Sequence, residues 1–211
     1  MAMWQGLSGI RADCGYSYER LERIAAYVRD LLNYSPTEAI DTLQLFDGLD
    51  MEVQDGSGRN IPIHGGVIEL SDSEGYARYD RDRGVIEVLA SLVTYDWLET
   101  GHPRGGFFVA HELGHCVLHT DQLVRLAQMP KMQQAALQRG GQGVEHEAYR
   151  DTEWQANAFA AALLMPARGL LILEQEYREL SRAIVVEHYC VSAEAARYRL
   201  DLCNTRKEQL L

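Results

Sequence analysis

The sequence predicts an α+β fold that is mostly helical and contains a small antiparallel sheet of three or four strands. Three observations lead to this class. Apolar residues recur at helical spacing over 17–47, short β-prone runs follow over 49–90, and the chain is helical again from about residue 91. The order of helices, sheet and helices is that of an α+β protein.

The N-terminal stretch 17–47 contains two predicted helices. In the first, apolar side chains recur every three to four residues with charged residues between them. The second is predicted to begin at Ser35, with Ser35 as its N-cap, Pro36 at the first helical position and Glu38 completing a capping box. It is predicted to end near Gly48.

Four short runs within 49–90 are predicted strands, because they are β-prone and are separated by Gly, Asp, Asn and Ser. They are 51–53, 67–70, 76–79 and 85–89. The pentapeptide Asp80-Arg-Asp-Arg-Gly84 is typical of the turn in an antiparallel hairpin. Together these runs predict the small sheet.

The second half of the chain carries the remaining predicted helices. They are 107–119 after a loop at 102–106, 152–165 before Pro166, and the C-terminal helices of 170–203, divided into 170–187 and 192–203. Between them, 120–149 has helix-forming stretches at 121–128 and 131–138, and then a glycine-rich connection at 140–143. We expect the whole of 1–211 to form one domain.

Composition excludes several classes of function. The chain has 211 residues, 46% of them hydrophobic, which suits one compact domain with an apolar core. Its net charge of −11 argues against direct binding of nucleic acid, which favours a basic surface. No stretch reaches the roughly 18 consecutive apolar residues of a membrane span, and the first residues do not resemble a signal peptide.

The four cysteines predict a reducing compartment. Cys14, Cys116, Cys190 and Cys203 are far apart and form no CxxC pair, so a disulfide framework is not expected. The protein is therefore predicted to be soluble and cytoplasmic.

The pentapeptide His111-Glu-Leu-Gly-His115 is the part of the sequence that predicts chemistry. Residues four apart lie on one face of a helix, so both imidazoles can reach a single ion, and zinc accepts such nitrogen ligands. Glu112 lies beside the metal and can take a proton from an attacking water. The alternative is a core helix with two hydrogen-bonded histidines, but two His and a Glu on so apolar a helix would be costly to bury without a metal or partners.

A zinc ion used in catalysis needs a third protein ligand. His119 continues the same face, but about 12 Å of helix axis separates it from His111, so we expect it to be an outer partner or a packing residue. Glu153, near the start of the later helix, is the better candidate. The other candidates are Glu145, His146, Glu147 and Asp151, and spacing places Glu153 only modestly ahead of them.

Two separated motifs give the chain a resemblance to a known family. Phe107-Phe-Val-Ala-His-Glu-Leu-Gly-His-Cys-Val-Leu-His119, followed by Glu153-Trp-Gln-Ala-Asn-Ala-Phe-Ala-Ala-Ala-Leu-Leu-Met-Pro166, resembles the ImmA/IrrE family of metallo-endopeptidases. Arg104 stands where the family often carries an arginine. The resemblance covers roughly 85–166 and is weaker over 189–200, where Cys190 replaces a glycine.

The resemblance implies a zincin-like domain in which His111, His115 and Glu153 hold one Zn²⁺ per chain and Glu112 is the general base. It also implies a protein substrate, because members of the family cleave regulatory proteins, typically repressors of mobile elements or of stress-response genes. Several members work with a helix-turn-helix repressor as partner. By analogy with other HExxH peptidases, Tyr149, Tyr95 or His146 could stabilise the oxyanion.

Three hypotheses of function follow. The first is a cytoplasmic zinc endopeptidase that cleaves a regulatory protein, namely a helix-turn-helix repressor of a mobile element or a stress response. The second is a zinc-containing regulatory module that sequesters a repressor or antitoxin-like partner without cutting it. The third is a metal hydrolase that acts on a bond other than a peptide bond.

Overall fold

The computed structural model describes residues 10–69, 73–130 and 147–210, and it confirms the predicted α+β class. Elements are numbered along these described residues. The helices are α1 (Tyr18–Leu31), α2 (Thr42–Asp47), α3 (Leu92–Glu99), α4 (Pro103–Leu118), α5 (Thr120–Gln128), α6 (Thr152–Leu164), α7 (Ala167–Tyr177), α8 (Arg182–Tyr189) and α9 (Ala193–Leu210), with a short 3₁₀ turn at Ala148–Arg150. The strands are β1 (Met51–Gln54), β2 (Asn60–Ile68), β3 (Gly75–Asp80) and β4 (Val85–Ser91).

The sheet is mixed, so the prediction of a purely antiparallel sheet is wrong. Its strand order is β1-β2-β4-β3, and β4 pairs with β2 in parallel and with β3 antiparallel. The reason is topological: the chain leaves β2 for the far edge, and the hairpin then returns β4 into the gap between β2 and β3. As a central strand, β4 is buried along its whole length, whereas β3 remains at an edge.

The predicted hairpin is confirmed. The turn after β3 is closed by the Gly84 N–H, which donates to the Asp80 carbonyl at 2.8 Å. The Asp80 carboxylate also accepts hydrogen bonds from the backbone N–H groups of Asp82 and Arg83. The acidic residue at the start of the turn therefore satisfies donors that the strands leave unpaired.

The second N-terminal helix begins later than predicted. The Ser35 N–H donates to the Glu38 carboxylate at 3.2 Å, as in a capping box, but no helix continues from it. The buried guanidinium of Arg29 donates to the carbonyls of Ser35 and Glu38, and so occupies acceptors that a helix would need. The helix starts instead at Thr42, behind Asp41 as N-cap.

Helix α4 starts at Pro103, four residues before the predicted boundary, and the two glycines read as a loop lie inside it. His102 caps the helix, since its Nδ1 accepts a hydrogen bond from the Arg104 N–H. At Gly105, a Cβ atom would lie 3.0 Å from the backbone of α3. Glycine here permits close packing of α3 and α4, which outweighs its low helix propensity.

The C-terminal region differs from the prediction at one break. The predicted helix over 170–187 is divided into α7 and α8, because Arg178 has φ +60° and ends α7. Ser181 then caps α8 through the Ile184 N–H. Of the stretches between α4 and α6, the predicted helix 121–128 is confirmed as α5, whereas 131–138 and the connection 140–143 lie outside the described residues.

The apolar core joins the inner face of the sheet to α1, α4, α6 and α8, and draws on residues from Leu21 to Ala196. The predicted single domain over 1–211 stays a prediction. All four cysteines are free.

The stretch Thr152–Tyr177, which spans α6 and α7, is long and apolar enough to cross a membrane. However, 78% of its most apolar window is buried, as in core helices of a folded protein.

A buried ion pair connects the two ends of the chain. The Arg199 guanidinium, 2% exposed, donates to the Glu22 carboxylate and, at 2.7 Å, to the Met165 carbonyl. Glu22 also accepts from the Ala167 N–H. Helix α9 is thereby fixed to α1 and to the junction between α6 and α7.

We expect Arg199→Met to lower the free energy of unfolding by about 3–5 kcal/mol, because Glu22 would remain buried without its cation. The measurement is urea denaturation of the folded protein. Arg23→Met is the matched control, since Arg23 and its partner Glu19 are both well exposed and such pairs contribute about 0–1 kcal/mol. Equal effects of the two substitutions would contradict the assignment of α9 anchoring to Arg199.

Candidate metal centre

Helices α4 and α6 pack closely at the HExxH sequence. A Cβ atom on Gly114 would lie 3.0 Å from the Phe159 ring and 3.2 Å from the Ala156 Cα. Gly114 and the small Ala156 therefore allow the two helices to approach each other, at a cost of about 1 kcal/mol in helix propensity at the glycine. This contact brings the first turn of α6 to the histidines of α4.

Three side chains meet at this contact. The Nε2 atoms of His111 and His115 lie 3.1 Å apart. The Glu153 carboxylate approaches both: one oxygen lies 3.2 Å from the His111 Nε2, and the other lies 3.3 Å from the His115 Nε2. Among the described residues, these three form the group whose donor atoms are close enough to share one metal ion.

These separations fit a tetrahedral metal ion. Ligand atoms held about 2.0–2.1 Å from zinc at tetrahedral angles are about 3.3 Å from one another. The donor set of two imidazoles and one carboxylate is also one that catalytic zinc sites use, with a fourth position left for water or substrate. The residues present therefore fit a zinc ion.

The orientation of His111 is fixed from α6. Its Nδ1 lies 2.9 Å from the Asn157 Oδ1. Because an amide oxygen only accepts, the His111 Nδ1 carries a hydrogen, and Nε2 is the ring nitrogen left for a metal, facing Glu153 and His115. Asn157 of α6 is thereby linked to α4 through His111.

His119 does not join this group. Helix α4 ends at Leu118, and His119 has non-helical backbone angles. Its ring is buried and lies against His115 and Gln155, so it is an outer partner of His115, as expected from its distance along the helix.

Hydrogen bonds and charges within this group shift the pKa values of His111 and Glu153. Burial by itself lowers the pKa of His111, but the hydrogen bond to Glu153 and the charges of Glu112 and Glu153 outweigh it and raise that pKa. Burial by itself raises the pKa of Glu153, but hydrogen bonds to His111 and His115 lower it well below its usual range. A carboxylate that favours a proton on His111 favours a metal cation at the same point.

Glu112 lies beside the group instead of in it. It is 9% exposed, and one carboxylate oxygen accepts a hydrogen bond of 2.7 Å from the Ala77 N–H of strand β3. The edge strand thus orients the carboxylate that the sequence predicts to be the general base.

A cavity of about 650 Å³ opens next to these side chains. His111, Glu112 and Asn157 line one part of it. Phe107 and Phe108 of α4, with Val191 and Ala195 near the start of α9, give it apolar walls. At its border, Arg104 donates to Glu74 at 2.7 Å and lies over the Trp97 ring. The cavity is therefore apolar, with polar groups at the candidate site and at its border.

The competing third ligands are not brought to this point. Asp151 caps α6 by accepting a hydrogen bond from the Trp154 N–H, and Glu147 is exposed and accepts from the Tyr149 hydroxyl. Glu145 and His146 lie outside the described residues.

Two proposed oxyanion donors also lie elsewhere. The Tyr95 hydroxyl donates to Asp47, and the Tyr149 hydroxyl donates to Glu147. Neither tyrosine lines the cavity beside Glu112. His146 lies outside the described residues.

Sequence reasoning missed two contributors to the site. The Ala77 N–H is a backbone group, and no residue pattern identifies which strand edge faces a helix. Gln155 is buried in the first half of α6 and contacts His119. Gln155 is two residues from both Glu153 and Asn157, and residues two apart do not share a helix face. Its spacing therefore did not indicate a role beside the candidate metal centre.

Comparisons with known proteins give a family match and a similar fold. Residues 100–201 match the family model Peptidase_M78, described as the IrrE N-terminal-like domain. No curated protein matches the sequence. A solved structure of a Mycobacterium tuberculosis transcriptional regulator is similar in fold, with a TM-score of 0.51, 22% identity, and coverage of 90% of this chain and 49% of that one. This chain therefore spans about half the length of that protein. The family resemblance is confirmed: residues 100–201 of this chain match the model of the Peptidase_M78, or IrrE N-terminal-like, family.

Proposed function

We propose that the protein is a zinc-dependent endopeptidase that cleaves a regulatory protein. The observation that carries the proposal is the meeting of His111, His115 and Glu153 at tetrahedral spacing, with Glu112 beside them in the same cavity. Membership of a family named for a peptidase supports it. We further propose that the substrate is a helix-turn-helix repressor of a mobile element or a stress response.

In this proposal His111, His115 and Glu153 hold one Zn²⁺ per chain. A zinc ion held there would polarise the scissile carbonyl and lower the pKa of bound water to about 7. The set leaves a fourth position open, as catalytic sites do, whereas a structural site is more often closed by four protein ligands. Among the described residues, no fourth His, Cys, Asp or Glu joins the group.

Glu112 acts as the general base and then as the general acid. Its carboxylate takes a proton from the attacking water, and it returns that proton to the leaving amine nitrogen as the peptide bond breaks. The hydrogen bond from Ala77 occupies one carboxylate oxygen and leaves the other for the proton transfer.

Strand β3 offers a way to hold an extended substrate. It is an edge strand, and its Ala77 N–H points away from β4 toward Glu112. In an antiparallel pair, outward-facing backbone groups alternate along the strand, so Gly75 and Tyr79 face the same way as Ala77. A segment of substrate in extended conformation can add to such an edge and place its backbone along the site.

The adjoining cavity would hold an apolar side chain next to the scissile bond. Its walls are phenylalanine, valine and alanine. Burial of a large apolar side chain in such a pocket stabilises the bound substrate. We therefore propose that cleavage occurs beside a large apolar residue such as leucine or phenylalanine.

Ala195→Leu is expected to change this preference, because it adds bulk to the cavity wall. We expect kcat/KM for peptides with leucine or phenylalanine at the selected position to fall about 10-fold or more relative to alanine peptides. Ala193→Leu is the matched control, since Ala193 is exposed on the same helix and does not line the cavity. An unchanged preference in Ala195→Leu would contradict the assignment of the cavity to a substrate side chain.

The experiment that tests the proposed function is cleavage of a diverse peptide library by the zinc-loaded protein, with products identified by mass spectrometry. We expect internal cleavage with an apolar residue at one fixed position, and loss of cleavage when a chelator removes the metal. The same assay on candidate helix-turn-helix repressors tests the substrate class. Capture of a repressor without any cleavage would favour the alternative, a zinc-containing module that acts by sequestration.

The regulatory setting is part of this proposal. The similar Mycobacterium tuberculosis structure carries the name of a transcriptional regulator, which is compatible with a protease that acts on gene control. Free thiols at the exposed Cys14 and Cys190 suit a reducing compartment such as the cytoplasm.

A further inference from the structure

His119 is a buried histidine to which the proposed reaction gives no part. It is 4% exposed and has a polar neighbour at each ring nitrogen. Its Nδ1 lies 3.1 Å from the Nδ1 of His115, and its Nε2 lies 2.8 Å from the Gln155 Oε1. Both neighbours belong to the two helices that form the candidate metal centre.

The direction of these hydrogen bonds follows from Gln155. The Gln155 side chain is fully buried, and its Nε2 donates to the carbonyl of Cys14 at 2.8 Å and to the carbonyl of Tyr149 at 2.7 Å. Because carbonyls only accept, the two amide hydrogens must point at them, and the amide oxygen must face His119. The hydrogen of His119 is therefore on Nε2.

The same logic continues to His115. Since the one ring hydrogen of a neutral His119 is already placed on Nε2, its Nδ1 is a lone pair. The facing Nδ1 of His115 then carries the hydrogen that is donated to His119. As a result, Nε2 is the ring nitrogen of His115 that is left for a metal, and it faces His111 and Glu153.

The outer end of this chain of hydrogen bonds is held by a segment far from the motif. Residues 10–16 pair with the residues just before α6 through three backbone hydrogen bonds. These join the Ala12 N–H to the Arg150 carbonyl, the Tyr16 N–H to the Tyr149 carbonyl, and the Thr152 N–H to the Ile10 carbonyl. Both carbonyls that orient Gln155 therefore belong to a fixed backbone.

We propose that His119 and Gln155 are positioning residues that fix the tautomer and orientation of the metal ligand His115, and that the backbone at Cys14 and Tyr149 sets this arrangement. The inference rests on the proposed function, because it takes His115 to be a ligand. The two ligand histidines are thus held differently: Asn157 holds His111 directly, and a relay of two side chains holds His115.

The relay is tested by zinc affinity in His119→Phe and Gln155→Met, measured by competition with a chromophoric chelator. Each substitution keeps the approximate shape of the side chain and removes the hydrogen bonds. We expect affinity to fall about 10- to 100-fold, the usual effect of losing an outer partner of a ligand. Thr120→Val is the matched control, because Thr120 is also buried, follows His119 directly, and donates to the Cys116 carbonyl without touching the relay. The control is expected to bind zinc like the wild type.

Nuclear magnetic resonance of ¹⁵N-labelled histidine supplies a readout that a general packing role would not move. In the metal-free wild type and in metal-free Thr120→Val, we expect a hydrogen on the Nδ1 of His115, whereas zinc bound at Nε2 would place it there in any variant. In His119→Phe and Gln155→Met, metal-free His115 is expected to populate both tautomers. An unchanged tautomer together with unchanged affinity in both variants would overturn the relay. A wild-type protein that binds no zinc would instead overturn the proposed function, and the metal-free spectra would still decide the relay.

Discussion

Glu153→Ala is expected to lower zinc affinity by more than about 100-fold, beyond the effect of losing an outer partner, because it removes one of the three proposed protein ligands. In the structure the Glu153 carboxylate lies within 3.3 Å of the Nε2 atoms of both His111 and His115. Elemental analysis of the purified wild type should give about one zinc per chain. The variant should lose its zinc on dialysis, and a chelator titration gives the change in affinity.

Glu147→Ala is the control for this result. Glu147 is another carboxylate just before α6, but it is exposed and accepts a hydrogen bond from Tyr149. It should therefore leave zinc content unchanged. Full zinc content and unaltered affinity in Glu153→Ala would show that Glu153 is not a ligand. Absence of zinc from the folded wild type, even after zinc is supplied, would contradict the metal centre altogether.

Glu112→Gln is expected to lower the rate of peptide cleavage by about 10²–10⁴-fold while zinc stays bound. The amide oxygen of glutamine can still accept the hydrogen bond from the Ala77 N–H, so the side chain keeps its position and loses only its ability to take a proton. The measurement is single-turnover cleavage of a peptide found in the library screen, with zinc content determined in parallel.

Glu74→Gln separates this effect from a general loss of negative charge. Glu74 lines the same cavity and pairs with Arg104, but it has no part in the proposed proton transfer. We expect a much smaller change in rate for Glu74→Gln. Wild-type cleavage by zinc-loaded Glu112→Gln would rule out Glu112 as the base, and full regulatory activity of that variant without cleavage would favour the sequestration alternative.

Near Ser35, the local sequence signal for a helix start and the observed helix start differ. The capping box was a correct local prediction, since the Ser35 N–H does donate to Glu38. The helix nevertheless starts six residues later, because Arg29 from α1 binds the carbonyls of Ser35 and Glu38. A distant buried guanidinium therefore overrode a local signal, and nothing in the residues around Ser35 could have indicated it.

The sheet illustrates the same limit. Each predicted strand overlaps an observed strand, because β-branched and aromatic residues identify strands locally. The pairing of strands is a property of the whole chain, and the parallel contact between β2 and β4 arises from a connection that crosses the sheet. Local residue patterns carry no information about that crossing.

By itself the sequence determined the α+β class, the resemblance to a family, and the helix on which His111, Glu112 and His115 stand. It could do so because positions four apart on one helix share a face, whatever surrounds that helix. The tertiary structure decided what no local pattern contains: the convergence of Glu153 on the two histidines, the hydrogen bond from Ala77 to Glu112, and the relay through His119 and Gln155. These features join segments far apart in the chain, and only the packing of α4 against α6, β3 and the N-terminal segment brings them together.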